Sequence, residues 1–319
     1  MAENNIKKTS IGGQALIEGI MMRGPKMTAM AVRNPEGEIV LEKWETEVST
    51  KKGVRKIPFV RGVFNFIDSM RFGYKCLMRS AEIAGLEENP KKSEEVEGEN
   101  NEDKKSSSVG MTLLMILSVV LGVGLAMGLF VALPSFLYSL LAKFIPFLTE
   151  DSRFLKSAFE GILKVLILVG YLAVVSLMKD IRRTFMYHGG EHKTIFCYEQ
   201  GLPLTVENVR AQRRFHPRCG TSFLILMILI SILISMLIPT GIPTYLRVLI
   251  KLCLLPLIMG IGYELIKLAG KHDNLFTRII SAPGLWLQRI TVLEPDDDMI
   301  ECAIMAMNEV IPNDESDNW

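Results

Sequence analysis

Histidine is scarce in this chain, with four among 319 residues. Cysteine is scarce as well: five residues, an odd number with no CxxC pair, so no disulfide framework is legible and a reducing compartment fits the polar parts. Charge of one sign is not in excess. A net charge of +1 gives no global attraction for nucleic acid, and only the placement of charges matters. The opening Met1-Ala-Glu-Asn-Asn-Ile-Lys-Lys lacks an apolar stretch, which excludes a cleavable signal peptide. Any membrane address must then come from internal segments.

Such segments are present. Hydrophobic residues make up 49% of the chain and cluster unevenly. Val109 to Ala142 runs 34 residues without a charge, more than the roughly 20 that cross a bilayer, with Pro134 as a kink or end. A second span is predicted over about 161–178 with Lys164 snorkelling at one end, and a third over 221–238. Pro239 to Pro243 turns the chain into a fourth over 245–263. Arg247 and Lys251 interrupt the fourth, so 239–263 is either the weakest span or a re-entrant hairpin. Few ionisable residues fall inside the spans, which argues against an ion pathway.

The expected fold is therefore a mainly α membrane protein with about four transmembrane helices and a small α+β N-terminal cytoplasmic domain. That domain covers 1–86. Strands are expected over 11–57, with Asn34-Pro35-Glu36-Gly37 as a hairpin turn, and a helix from Pro58 to about Ala84. The helix carries Arg61, Arg71, Lys75 and Arg79, suiting either an anionic membrane surface or an ordinary solvated face. Residues 87–108, charged and low in complexity, read as a disordered linker. The transmembrane region covers 109–263, and 264–319 is a membrane-associated helical tail whose last helix starts near Asp296-Asp297-Asp298 and runs to Val310.

Between the second and third spans lies a basic loop, 179–220, with Lys179, Arg182, Arg183, Lys193, Arg210, Arg213, Arg214 and Arg218. The positive-inside rule places this loop, and with four spans both termini, on the cytoplasmic side of a bacterial inner membrane. Arg182, Arg183, Arg213, Arg214 and Arg218 could also hold an anionic lipid headgroup or membrane-bound substrate, although topology alone accounts for them.

The loop holds three of the four histidines and a cysteine within 32 positions. His188-Gly189-Gly190-Glu191-His192 reads H-x-x-E-H, the ligand pair and general base of the inverted zincins. A helical turn would put both imidazoles on one face. Gly189 and Gly190 oppose that at roughly 1 kcal/mol each, so a chelating tight loop is an equal reading. His216 and Cys219, in His216-Pro217-Arg218-Cys219, are the natural third and fourth ligands of Zn2+ or another divalent transition metal. If all four bind, the site is closed and structural. If Cys219 is spare, an open position could hold a water activated by Glu191. Glu264 is an alternative carboxylate ligand, and the bland alternative is that these histidines are interfacial packing residues. The glycine-rich stretch 12–25 lacks phosphate-loop spacing. It could form a bulged strand presenting Gln14, Glu18 and Arg23, with turn glycines the more common explanation.

The stretches GGQALIEGIMMRGP (12–25), YHGGEHKTIFCYE (187–199), HPRCGTSF (216–223) and PGLWLQRIT with its following EPDDD (283–298) resemble the bacterial YqhQ-type family of membrane proteins. The family is sometimes labelled as predicted metal-dependent enzymes. The resemblance implies metal dependence, without a substrate or reaction. The second glycine of HGGEH, Gly190, stands where alanine is expected in many relatives. Two functions follow: a metal-dependent hydrolase at the cytoplasmic membrane face with Glu191 as base, or a non-catalytic scaffold pinned by a structural zinc site.

Overall fold

The computed structural model describes residues 7–46, 57–86, 117–118, 120–145, 153–239, 242–272 and 274–318. The expected linker at 87–108 lies outside them.

Four strands, β1 (Gly12–Leu16), β2 (Gly19–Arg23), β3 (Met27–Arg33) and β4 (Ile39–Glu45), form an antiparallel meander in sequence order. The Asn34 turn forms as expected: Asn34 Oδ1 accepts the Glu38 N–H at 2.8 Å, and Gly37 adopts a left-handed φ of 88°. β1 and β2 join through a two-residue turn in which Glu18 has φ 50°. This sheet is covered on both faces, which is why its middle strands read as nearly continuous apolar runs. Ile20, Met22, Ala29 and Ala31 point to one side, and Met21, Met30 and Val32 to the other.

The second face carries α1 (Val60–Ile83), through Cys76, Phe72 and Leu77. Two of its basic residues are in ion pairs, Arg61 with Glu264 and Arg79 with Glu42 and Glu82. The first face is covered by two helices from far along the chain. Helix α4 (Lys179–Glu199) brings Tyr187 and Ile195; α9 (Asp297–Val310) brings Met299, Cys302, Ala303, Ala306 and Met307. Small residues on both sides let α9 approach the strands closely. Each large apolar side chain buried here contributes about 1.5–3 kcal/mol.

Among the described residues three helices are long and apolar enough to cross a membrane: α2 (Val120–Ala142), Phe154–Val175 within α3 (Arg153–Val175), and Tyr245–Lys271 within α7 (Thr244–Lys271). Pro134 does not end α2. Just ahead of it the helix widens into a π-helical turn at Gly128–Ala132, which accommodates a ring lacking an N–H. The ranking of the last two spans is reversed. The segment expected to be weakest or re-entrant is a continuous helix of 28 residues, because Arg247 and Lys251 find polar partners. The segment expected to be an ordinary span, α6 (Gly220–Ser235), is a shorter apolar helix of 16 residues. Two further helices complete the description, α5 (Val206–Arg210) and α8 (Leu275–Thr291), the latter opened by a capping box between Asn274 and Thr277.

The chain divides into two compact units. One gathers residues 1–87, 171–227 and 256–319; the other holds 88–170 and 228–255. The sheet, α4 and α9 all belong to the first.

Candidate metal centre

The H-x-x-E-H segment is helical. Helix α4 runs unbroken through Gly189 and Gly190, so His188 and His192 stand one turn apart with ring centroids 4.5 Å from each other. Tertiary contact overrides the poor helix propensity. The segment after α8 crosses α4 here, and Leu293 N–H donates to the Phe185 carbonyl at 2.9 Å. A Cβ on Gly189 would collide with the Leu293 carbonyl oxygen, whereas one on Gly190 would meet only ordinary contacts with Ile20, Met299 and Pro295. Gly189 is therefore the position that needs glycine.

Cys219, at the end of the His216–Cys219 loop just before α6, supplies a third donor. His188 Nε2 and Cys219 Sγ are 3.2 Å apart, and one ligand atom from each of His188, His192 and Cys219 lies within 4.8 Å of the others. His188 Nδ1 is 3.0 Å from the Thr291 carbonyl, and His192 Nδ1 is 2.6 Å from the Arg214 carbonyl. A carbonyl only accepts, so each Nδ1 carries a proton, which leaves Nε2 as the nitrogen that can offer a lone pair to an ion. This backbone support is how metal-binding imidazoles are commonly oriented. The loop itself is clamped by the buried Gln288: its Oε1 accepts the His216 N–H at 2.8 Å, and its Nε2 donates to the His216 carbonyl at 2.8 Å and to Ser222 Oγ at 3.1 Å. Two imidazoles and a cysteine sulfur are a donor set that suits zinc and related divalent ions.

Glu191 lines the same cavity, of about 150 Å³, with its carboxyl buried. Burial pushes its pKa up, against the opposing pull of His188 and of the Gly13 backbone N–H. Gly13 belongs to the edge strand of the sheet. A Cβ there would sit 2.8 Å from Glu191 Cγ and 2.8 Å from the Met21 carbonyl oxygen. The glycine-rich stretch is thus two regular paired strands, neither bulged nor turned at Gly13, and that glycine lets the strand edge reach Glu191.

His216 shares the cavity but not the three-donor group. Its Nδ1 accepts the Arg218 N–H at 3.3 Å, and its Nε2 lies 3.2 Å from Arg218 Nη2 and 3.9 Å from Glu199 Oε2. Burial pushes His216 down to about 4, outweighing the Glu199 hydrogen bond that raises it. Burial also acts to raise Glu199, but His216 and Arg218 together hold it below its ordinary value. Arg218 pairs with Glu199 and donates to the Thr9 carbonyl at 2.6 Å, tying the loop to the N-terminal segment.

The other candidates lie elsewhere. Glu264 accepts from Arg61 on α1 at 2.6 Å. Glu18 is held by Arg183 at 2.5 Å and by the Tyr187 hydroxyl at 3.3 Å. Arg23 stacks over Phe72 and lines a separate cleft of about 320 Å³, as does Gln14. Among the arginines only Arg218 reaches the cavity: Arg182 is exposed, Arg213 lies over Phe196, and Arg214 pairs with Glu294 at 3.0 Å. Sequence reasoning missed Gln288, Glu199, Gly13 and the carbonyls of Thr291 and Arg214. Gln288 does fall in one of the distinctive stretches; backbone carbonyls leave no residue-type signal.

A family model described as a protein of unknown function (DUF1385) matches residues 57–313. An uncharacterized protein, YqhQ, from Bacillus subtilis (strain 168) is 38% identical over 302 residues, covering 94% of this chain and 92% of its own. No solved structure matches the chain. On the extent of both matches, the chain belongs to the DUF1385 family, the YqhQ-type membrane proteins.

Proposed function

We propose that this protein is a metal-dependent enzyme of the bacterial inner membrane, a hydrolase working at the cytoplasmic face. The observation that carries the reading is the trio His188, His192 and Cys219, with both Nδ1 protons committed to backbone carbonyls. Three protein donors with a position left over is the pattern of catalytic rather than structural zinc sites. A divalent ion held there would act as a Lewis acid and acidify a water molecule. Glu191, buried beside the donors with its pKa raised by that burial, is placed to take up and return a proton.

The membrane topology that accompanies this reading has four crossings. The sheet, α4 and α9 pack together, which supports placing the N-terminal segment, the central loop and the C-terminal tail on one side of the bilayer. On that reading the chain crosses an even number of times between the sheet and α4, and again between α5 and α8. Helices α2 and α3 supply one pair, α6 with its apolar extension to Ile238 and α7 the other. The eight basic residues of 179–218 favour the cytoplasm for that side. Leu275, Phe276, Ile279 and Trp286 are exposed on α8 beside Arg278 and Arg289, a composition suited to an anionic bilayer surface.

The rival is a non-catalytic scaffold closed by a fourth ligand. His216 is the residue it needs, since its ring already lines the cavity 5.5 Å from that of His192. Elemental analysis of the detergent-purified chain beside a His188→Ala/His192→Ala double variant tests the common premise. About one transition metal per chain, lost in the folded double variant, is the expected result. No metal in either, without exposure to chelator, removes both readings. Glu191→Gln then separates them: loss of complementation of a deletion phenotype with metal retained supports the enzyme, and full complementation supports the scaffold.

A further inference from the structure

The apolar helices hold a second polar centre, unrelated to the histidines. Glu160, Lys164, Arg247 and Lys251 all fall within Phe154–Val175 and Tyr245–Lys271, where a charge is costly. Residues scattered in sequence converge here. Glu160, 2% exposed, has both oxygens engaged: Ser135 Oγ donates to one at 2.8 Å and Lys251 Nζ to the other at 2.7 Å. Among the described residues its direct ion pair is with Lys251.

Arg247 is left under-supplied. It is 3% exposed, yet its guanidinium has two long hydrogen bonds, Nη1 to the Pro239 carbonyl at 3.3 Å and Nη2 to Ser157 Oγ at 3.4 Å. Its Nε–H is shut off from solvent and has no acceptor among the described residues. Lys164 adds a further cation within electrostatic reach of Glu160, Lys251 and Arg247. Among the described residues, three cations thus face one carboxylate. Buried charges are stable when paired, so the arrangement lacks an anion rich in acceptor oxygens.

We propose that this cluster binds a phosphate group, that of an anionic membrane lipid. A guanidinium with free N–H groups and flanking ammonium groups match phosphate geometry and charge. Arg247 and Lys251 are three and seven residues past Thr244, which sets them about 5 and 10 Å along α7 from its start. That depth is within reach of a headgroup drawn slightly into the interface. Phe136, Ile162 and Leu249, exposed on α2, α3 and α7, offer apolar surface for the acyl chains. On the four-crossing topology this end of the helices faces away from the cytoplasm; the ligand assignment itself depends on neither the metal nor the orientation.

The test uses the full chain, purified in detergent and stripped of lipid. Binding of phosphatidylglycerol, of diacylglycerol and of inorganic phosphate is followed by native mass spectrometry and by competition. Wild type is expected to retain phosphatidylglycerol and not diacylglycerol, and Arg247→Gln to weaken retention about tenfold or more. Competition by inorganic phosphate would show that the headgroup suffices, with free phosphate an alternative source. Absence of competition would show that the chains contribute and the source is lipid. Equal retention of both lipids, or unchanged affinity in a monodisperse Arg247→Gln, would overturn the assignment. Should that variant fail to fold, the half-buried Lys164→Gln carries the test, with a loss of about threefold expected and no loss counting against the site.

Discussion

The His/Cys pocket and the Arg247 cluster are both buried and polar, but they are provisioned differently. In the pocket each supporting group has a partner: His188 has Thr291, His192 has Arg214, the His216 backbone has Gln288, and Glu199 has Arg218. What stays open is a set of lone pairs converging on a small space. In the cluster the acid is satisfied and the cation is not, so what stays open is a donor. The proposed occupants differ accordingly, a cation for one centre and an anion for the other. Spare hydrogen-bonding capacity, rather than burial, distinguishes them.

The sharpest way to break this comparison is to remove the clamp on the pocket. Gln288→Leu would leave the His216 N–H buried without a partner and its carbonyl with only the long 3.4 Å bond from the Cys219 N–H, and is expected to cost about 3 kcal/mol in detergent unfolding midpoints. A change under about 0.5 kcal/mol would mean the loop is held by something else.

Acid titration gives a somewhat smaller effect. His216 is pushed from 6.5 to about 4 on folding, so the unfolded chain takes up that proton first as pH falls. Its contribution is complete above pH 6.5 and is lost as pH drops towards 4. At pH 5 the loss is about 2 kcal/mol. His216→Asn should flatten the stability profile across that window; an unchanged profile would locate the acid sensitivity elsewhere.

The smallest effect is expected in the other centre. Arg247→Met removes a cation that has no direct ion pair among the described residues and puts an apolar chain of similar length in its place. In lipid-stripped detergent the unfolding midpoint should stay within about 0.5 kcal/mol of wild type. A large loss would show that Arg247 is structurally paired and that the two centres are alike after all.

Much of the pocket was legible because helical periodicity is local. Once 179–199 is a helix, His188 and His192 must share a face, with Glu191 next to them. The doubt over Gly189 and Gly190 could not be resolved locally, since the deciding contact is with Leu293, more than a hundred residues away. His216 and Cys219 looked equivalent as donors, yet Glu199 and Arg218 engage one and leave the other facing His188. The five loop arginines read as one cluster because they share a stretch of chain; folding disperses them, four to separate partners and Arg182 to the surface. In the spans the reverse holds: Glu160 and Lys251 look like isolated blemishes 91 positions apart and meet as an ion pair.

Composition and periodicity alone determined the apolar helices, the Asn34 hairpin, the basic loop and the donor types available to a metal, because each depends on neighbours a few residues apart. Only the tertiary structure decided which donors converge, which nitrogen each imidazole presents, that three distant segments build one packed unit, and that Arg247 is left with an unused N–H. Those outcomes depend on close approaches between segments far apart in sequence and on backbone carbonyls, which every residue type carries alike.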